Sequence, residues 1–249
     1  MRTDVALLPE QATEREKRVC VAVDVLRASS SIVTLLERGA DCVVAAPGIA
    51  EARALHERLP DYLLCGEKDG LPPPGFDYGN SPAEFSRLDL AGRRAILATS
   101  NGTRLLAALA DAPMVIVGCL LNRTAAARAA VAIASEGKLD IAVVCSAAYS
   151  GSTFVLEDAL GAGAIVDAAL RQDGSLDAGD AARFARDAFR HAEVRIAEAV
   201  ASAYHARDLA EAGFGEDVAY CARVDASQVV PALERGEDGL LVLRPRQSG

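Results

Sequence analysis

The chain has 249 residues, 51% of them hydrophobic, with six cysteines and a formal net charge of −9. That length can bury a core without covalent staples, and an acidic chain with no basic run excludes a broad nucleic-acid surface, which needs clustered Lys and Arg. No window approaches the roughly 20 apolar residues of a membrane span, and the N-terminus lacks the apolar stretch of a leader, so a cytoplasmic protein is expected.

In chain order, short apolar, β-branched runs read as buried strands: TDVALL (3–8), RVCVAVDV (18–25), DCVVAAP (41–47), DYLLCG (61–66), RAILATS (94–100), PMVIVG (113–118) and LDIAVVCS (139–146). Between most of them lie helical patterns, SSIVTLLERG (30–39), IAEARALHERL (49–59), GTRLLAALA (102–110) and NRTAAARAAVAIASEG (122–137). The alternation predicts an α/β fold with a mainly parallel sheet flanked by helices, as one domain over 1–249 or as two intimate lobes, about 1–90 and 91–249, with the site between them. A weak echo links residues 19–59 with 94–133 at a shift of about 72 residues, either a duplication or the ordinary look of successive strand–helix units. The stretch GEKDGLPPPGFDYGNSP (66–82) is too rich in Pro and Gly for regular structure and too long for a plain connection, so a functional loop is expected. After LEDALGAGAIVDAAL (156–170) and the polar bridge 171–180, an alanine-rich helical region up to about residue 212 suits a lid, a lobe or a homodimer face.

The cysteines stand singly in apolar runs and form no CxxC pair, as expected of small buried hydrophobes in a reducing compartment; only Cys145 is retained as a candidate nucleophile or site lining. No Walker or Rossmann glycine motif occurs, and neither Cys119 nor Cys145 is followed by the arginine of a cysteine phosphatase loop. The three histidines, His56, His191 and His205, lie on predicted helices without metal spacing and are read as structural.

Polar clusters follow the apolar runs. Asp24 and Arg27, Glu67, Asn101 to Thr103, Asn122 and Arg123, and Ser146 to Thr153 all come at strand ends, which share one edge in a parallel sheet. Ser29, Ser30 or Ser31 is expected to cap the next helix, whose first-turn amides suit an anion; TSNGTR and YSGST offer two further turns of this kind. Arg27 can grip two oxygens of a phosphate or sulfonate, while Asp24 suits a metal ligand, nucleophile or base. Carboxylates at Asp24, Glu67, Glu157 and Asp158 suit magnesium, which takes one or two carboxylates with water and substrate phosphate.

VDVLRASSSIVTLLERGA, the Gly66-Glu67 pair, GFDYGNSP, TSNGT, VGCLLN and CSAAYSGSTFVLEDALGAGAIV together resemble the 2-phosphosulfolactate phosphatase family, in order over roughly residues 19–166. The resemblance implies a magnesium-dependent acid phosphatase, of the kind first associated with coenzyme M biosynthesis, acting on a small sulfonated or carboxylated acid. It carries Asp24, Arg27, Ser29 and Ser30 as the first motif, Glu67 as the second, Asn80 and Ser81 as the third, Asn101, Gly102 and Thr103 as the fourth, and Glu157 and Asp158 as the last. On that basis Asp24, Arg27 and Glu67 are candidate catalytic residues, and Asp24, Glu67, Glu157 and Asp158 candidate metal ligands. Arg27, Ser29, Ser30, Asn80, Ser81 and Asn101 to Thr103 are candidates for the substrate, with Arg104 or Arg123 as a second clamp. Attack by water and attack by Asp24 both remain open. Two departures stand out: the family's TTNGT reads TSNGT, and its CAG turn reads Cys145-Ser146-Ala147, which loses a glycine and is expected to reshape the pocket. The rival readings are a non-catalytic binder of small anionic metabolites and the same fold acting on another phosphorylated acid.

Overall fold

A computed structural model describes residues 1–148, 152–236 and 238–246. The first half of the chain forms β1 (Arg2–Ala6), β2 (Arg18–Val23), α1 (Ala28–Glu37), β3 (Cys42–Ala46), α2 (Ile49–Arg58), β4 (Leu63–Gly66), α3 (Pro82–Phe85), β5 (Arg94–Ala98) and α4 (Gly102–Leu109). There follow β6 (Met114–Gly118), α5 (Arg123–Gly137), β7 (Asp140–Cys145), α6 (Leu156–Gln172), β8 (Asp177–Ala178) and α7 (Asp180–Ala192). The chain continues through α8 (Ile196–Ala201), α9 (Tyr204–Leu209), α10 (Gly215–Cys221), β9 (Pro231–Arg235) and β10 (Leu241–Pro245). Each apolar run named above forms a strand; β8, β9 and β10 were not foreseen. Among the described residues no helix is long and apolar enough to cross a membrane.

The strands make one ten-stranded sheet in the order β4-β5-β3-β10-β9-β6-β2-β7-β1-β8. Side chains alternate across it, as the two-residue period of a strand requires. Val19, Val21 and Val23 of β2 pack in one core with α5, α6 and α7, while Cys20 and Ala22 face a second core with Ile32 and Leu35 of α1 and Leu105, Leu106 and Leu109 of α4. On β3, Val43 and Ala45 join that second core, and Cys42, Val44 and Ala46 join a third beneath Ala52 of α2. Both faces of the sheet are therefore covered, which explains why these strands read as unbroken apolar runs.

The expectation of a single shared edge needs correction. β4, β5 and β3 pair in parallel, as do β6, β2, β7, β1 and β8, but β10 is antiparallel to both β3 and β9, and β9 is antiparallel to β6. Two parallel blocks of opposite sense thus meet across the β9–β10 pair. Sheets twist by about 20–25° per strand, so the steps from β5 to β2 accumulate on the order of 100° and leave the two blocks nearly crosswise. The crossover helices α1, from β2 to β3, and α4, from β5 to β6, start where the C-terminal strand ends of the two blocks converge. The strand ends meet there by twist and crossover.

Candidate active site

The turn after β2 is built around Asp24. Its Oδ1 accepts the Ala28 amide at 3.0 Å, its carbonyl accepts the Ser29 amide at 2.9 Å, and its own amide donates to Ser29 Oγ at 2.9 Å. Arg27 is the N-cap of α1 and makes no side-chain cap bond. The aspartate four residues upstream does the work expected of the serines, because its carboxylate reaches the first helical amide. The amides of residues 28 and 29 are therefore already bonded. The three serine hydroxyls point inward, Ser29 to the Ala22 carbonyl, Ser30 to Val25 and Ser31 to Asn80. The peptide between Leu26 and Arg27 is cis.

Gly102, at the start of α4, lies against this turn: a Cβ there would stand 2.6 Å from Asp24 Oδ2 and would overlap Ala28 Cβ. Glycine is what permits this approach of α4 to the end of β2. Asn101 is the N-cap of α4, while Thr103 is fully buried with its hydroxyl tied to residue 99, accepting the Thr99 amide at 3.1 Å. Glu67, at the end of β4, accepts the Ser100 amide with Oε1 at 2.7 Å and the Gly70 amide with Oε2 at 2.9 Å. It thereby joins the loop of 66–82 to the turn before α4.

On the other side of Asp24, α6 brings Glu157 and Asp158, both buried. Asp158 Oδ1 accepts the Val25 amide at 2.8 Å, and its Oδ2 accepts Ser146 Oγ at 3.1 Å and the Ala147 amide at 3.2 Å. Glu157 Oε1 lies 3.2 Å from His205 Nδ1, whereas its Oε2 is buried without a partner among the described residues. Burial first, then repulsion from Asp24 and Glu157, raises the Asp158 pKa well above the ordinary carboxylate value. Burial also raises that of Asp24, with repulsion from Glu67 adding to it; the Ala28 amide, Ser146 and His205 pull the other way without prevailing. At His205 desolvation pulls the pKa down, but the hydrogen bond and charge of Glu157, together with Asp24, outweigh it and the net shift is upward. His205, read from the sequence as structural, belongs to this cluster; its partner lies 48 residues away, so no local spacing could have marked it.

Arg27 is buried beside the acidic cluster. Its Nη1 meets Asp217 Oδ2 at 2.9 Å, its Nη2 donates to the Gly70 carbonyl at 2.8 Å, and the guanidinium carbon lies 4.4 Å from the centre of the Phe214 ring. Asp217 also accepts from Ser81 Oγ at 2.6 Å and from the Ala83 amide at 3.1 Å. Asn80 is buried next to these contacts, with Oδ1 unpartnered among the described residues. The loop of 66–82 thus reaches the turn after β2 and the start of α1 at Gly70 and Asn80. The second clamp fares differently. Arg123 is held by Asp225 at 3.0 Å and Glu193 at 3.3 Å, and Arg104 reaches the Pro47 carbonyl with Nε at 3.4 Å. The charge of Arg123 is therefore spent within the fold.

Cys145 is buried, and burial with the nearby Asp158 and Glu157 pushes its thiol well above the usual range, which disfavours the nucleophilic thiolate. All six cysteines are free. At the altered turn Ala147 has φ +58°, so the backbone keeps a left-handed conformation that glycine adopts more readily. Of the expected YSGST turn, residues 149–151 lie outside the described residues.

Asp24, Arg27, Glu67, Asn80, Ser81, Gly102, Glu157 and Asp158 are thus joined by a continuous set of contacts. Among the described residues no three His, Cys, Asp or Glu side chains close into a ready-made metal cage. Magnesium commonly needs only one or two carboxylates, with water and substrate phosphate completing its shell, and the orphaned Glu157 Oε2 beside the repelled Asp24 fits that smaller demand.

Comparison with known proteins identifies the family. A family model described as 2-phosphosulpholactate phosphatase matches residues 6–236. A protein of Deinococcus radiodurans named probable 2-phosphosulfolactate phosphatase is 39% identical over 96% of this chain and 95% of its own length. Proteins of the same name from Thermotoga petrophila, at 37% over 94% and 96% of the two chains, and from Thermus thermophilus, at 36% over 89% and 90%, are similar throughout. These relatives and the family model place the molecule among the phosphoric monoester hydrolases. Within that class, the chain belongs to the 2-phosphosulpholactate phosphatase family.

Proposed function

We propose that the protein is a magnesium-dependent phosphatase that converts 2-phosphosulfolactate to sulfolactate and phosphate. The observation that carries the metal requirement is the buried acidic cluster. Burial, with repulsion from Glu67 at Asp24 and from Asp24 and Glu157 at Asp158, raises the pKa of both aspartates, and one oxygen of Glu157 lacks a partner among the described residues. Buried like charges of this kind are costly unless a cation or proton balances them. Asp24 and Glu157 would hold the ion, which when bound supplies positive charge to the phosphoryl oxygens.

The chain's own groups have separable tasks. Asp158 uses both oxygens on the amides of Val25 and Ala147 and on Ser146, so it fixes the turn that carries Asp24 against the turn after β7. Glu67 anchors Gly70 and Ser100, holding the loop of 66–82 over the strand ends. Arg27 provides a fixed cation for an equatorial phosphate oxygen, an electrostatic contribution whose value depends on preorganisation. Asp24 either takes the proton of the attacking water or attacks phosphorus itself, and acid-stable trapping of labelled phosphate on the protein separates these routes.

The test is phosphate release from 2-phosphosulfolactate and from a panel of small phosphorylated acids, with magnesium and with excess chelator. Release that prefers 2-phosphosulfolactate and collapses on chelation is expected. Full turnover under chelation would refute the metal requirement, a preference for another phosphorylated acid the substrate, and full turnover by Asp24→Asn the role given to that carboxylate.

A further inference from the structure

We propose that Asp217 is a positioning residue for turnover. It locks the guanidinium of Arg27, through a clasp completed by Phe214, in the orientation in which Arg27 meets the phosphate. The inference rests on the reading above that Arg27 addresses that group.

Three observations point to it. First, the ion pair is buried on both sides, with side-chain exposures of 2% for Arg27 and 1% for Asp217. Such a pair gives little net stability compared with apolar packing of the same volume, so stability alone accounts poorly for it. Second, the contacts fix direction without exhausting the cation. Asp217 takes a donor of Nη1, the Gly70 carbonyl takes a donor of Nη2, and Phe214 covers the guanidinium at 4.4 Å. A guanidinium carries five N–H groups, so three remain for an anion once these bonds are made. Third, Asp217 is itself held by the loop whose tip receives Arg27. Its Oδ1 accepts from Ser81 Oγ and the Ala83 amide, so Gly70, Ser81 and Ala83 bracket the pair.

Asp217 lies 190 residues from Arg27 in the chain, and among the described residues its hydrogen bonds run to Arg27, Ser81 and Ala83, not to Asp24, Glu157 or Asp158. Its removal therefore perturbs the cation while leaving the bonds of the acidic cluster in place. A guanidinium freed from the clasp would sample several rotamers, and misplacement by about 1 Å can cost on the order of 100-fold in rate.

The experiment is a double-mutant cycle in phosphate release from 2-phosphosulfolactate, using Arg27→Ala, Asp217→Asn and the double variant, with guanidinium rescue as a second readout. Asp217→Asn is expected to lower kcat/KM by about 10- to 100-fold, and by less than about 2-fold when Arg27 is already alanine. Added guanidinium at non-denaturing concentration is expected to restore part of the turnover of Arg27→Ala and none of that of the double variant, a difference that general loosening of the fold would not produce. Additive losses, or equal rescue with and without Asp217, would overturn the clasp. Full turnover by Arg27→Ala would overturn the reading of Arg27 itself. An inactive Arg27→Ala beside a folded Asp217→Asn of wild-type kcat/KM would overturn only the clasp. If Asp217→Asn does not fold, Phe214→Leu decides, because it keeps the ion pair and removes the aromatic face. A rise in KM of several-fold at an unchanged melting temperature supports the clasp, and unaltered kinetics overturn it.

Discussion

Replacing Gly102 by alanine probes the convergence of the two parallel blocks at its tightest point. The new Cβ would lie 2.6 Å from Asp24 Oδ2 and overlap Ala28 Cβ. Neither neighbour can turn away cheaply. Ala28 has no rotamer, and the Asp24 carboxylate is pinned by the Ala28 amide. Relief requires α4 to retreat from α1, or Asp24 to leave its bond, by on the order of 1 Å. Overpacking of this kind costs about 1–3 kcal/mol, which for a chain of this size lowers Tm by roughly 2–12 °C. The effect on chemistry is expected to be larger, about 100-fold in kcat/KM, since the displaced group is a proposed reacting carboxylate. Calorimetry and steady-state phosphate release on the same preparations check both. A Gly102→Ala variant with the predicted Tm loss and wild-type kcat/KM would show that Asp24 does not need its placement against α4, and would refute this account of the site.

Three further outcomes are expected. Ala147→Gly removes a left-handed alanine, whose cost of about 1–2 kcal/mol is partly offset by the greater freedom of glycine in the unfolded chain, so Tm should rise by about 1–2 °C in calorimetry; a fall would contradict the strain at φ +58°. Asp167 is buried and bonded to Arg171 at 2.7 Å and Arg190 at 2.6 Å, and Asp167→Ala should cost about 1–3 kcal/mol in denaturant unfolding, less than a fully buried pair because both arginines are half exposed. Asp24 and Asp158 keep more protons folded than unfolded, so their contribution to stability is present below about pH 4 and is lost as pH climbs toward their raised folded values. In chelator, wild-type Tm should therefore fall more steeply than that of Asp158→Asn as pH rises above the ordinary carboxylate range, and magnesium should remove the difference; parallel curves would argue against the buried charge.

How much the sequence disclosed depended on how local the signal was. Strands β1 to β7 are buried on their faces, so they read as continuous β-branched runs, and the helices between them showed their apolar periods. The pair β9–β10 escaped notice because Pro231, Glu234, Arg235, Arg244 and Pro245 break the apolar pattern. Missing that pair also hid the opposite sense of the two parallel blocks, since alternation of strand and helix does not encode direction. Three consecutive serines matched the preference for helix caps. The carboxylate of Asp24 had the shorter path to the amide of residue 28, however, and tertiary burial turned the hydroxyls inward. The acidic residues after strands were readable because strand ends carry function in α/β sheets. The roles of His205 and Asp217 were not, because a histidine or aspartate on a short helix acquires meaning only from a partner far along the chain.

Those two residues explain why the helical region after α7 is part of the site. His205 sits on α9 and completes Glu157; Asp217 sits on α10 and completes Arg27. Between them the chain kinks within Ala210–Phe214, where Gly213 has φ +93°, and this delivers Phe214 to the guanidinium. An unbroken α-helix turns by about 100° per residue, so His205 and Asp217, twelve positions apart, would face directions set by that period alone. The kink at Gly213 relaxes this constraint, allowing one short segment to present His205 to the acidic cluster and Asp217 to the cation. The strand ends of the sheet supply the charges, and this segment sets the orientation of two of them.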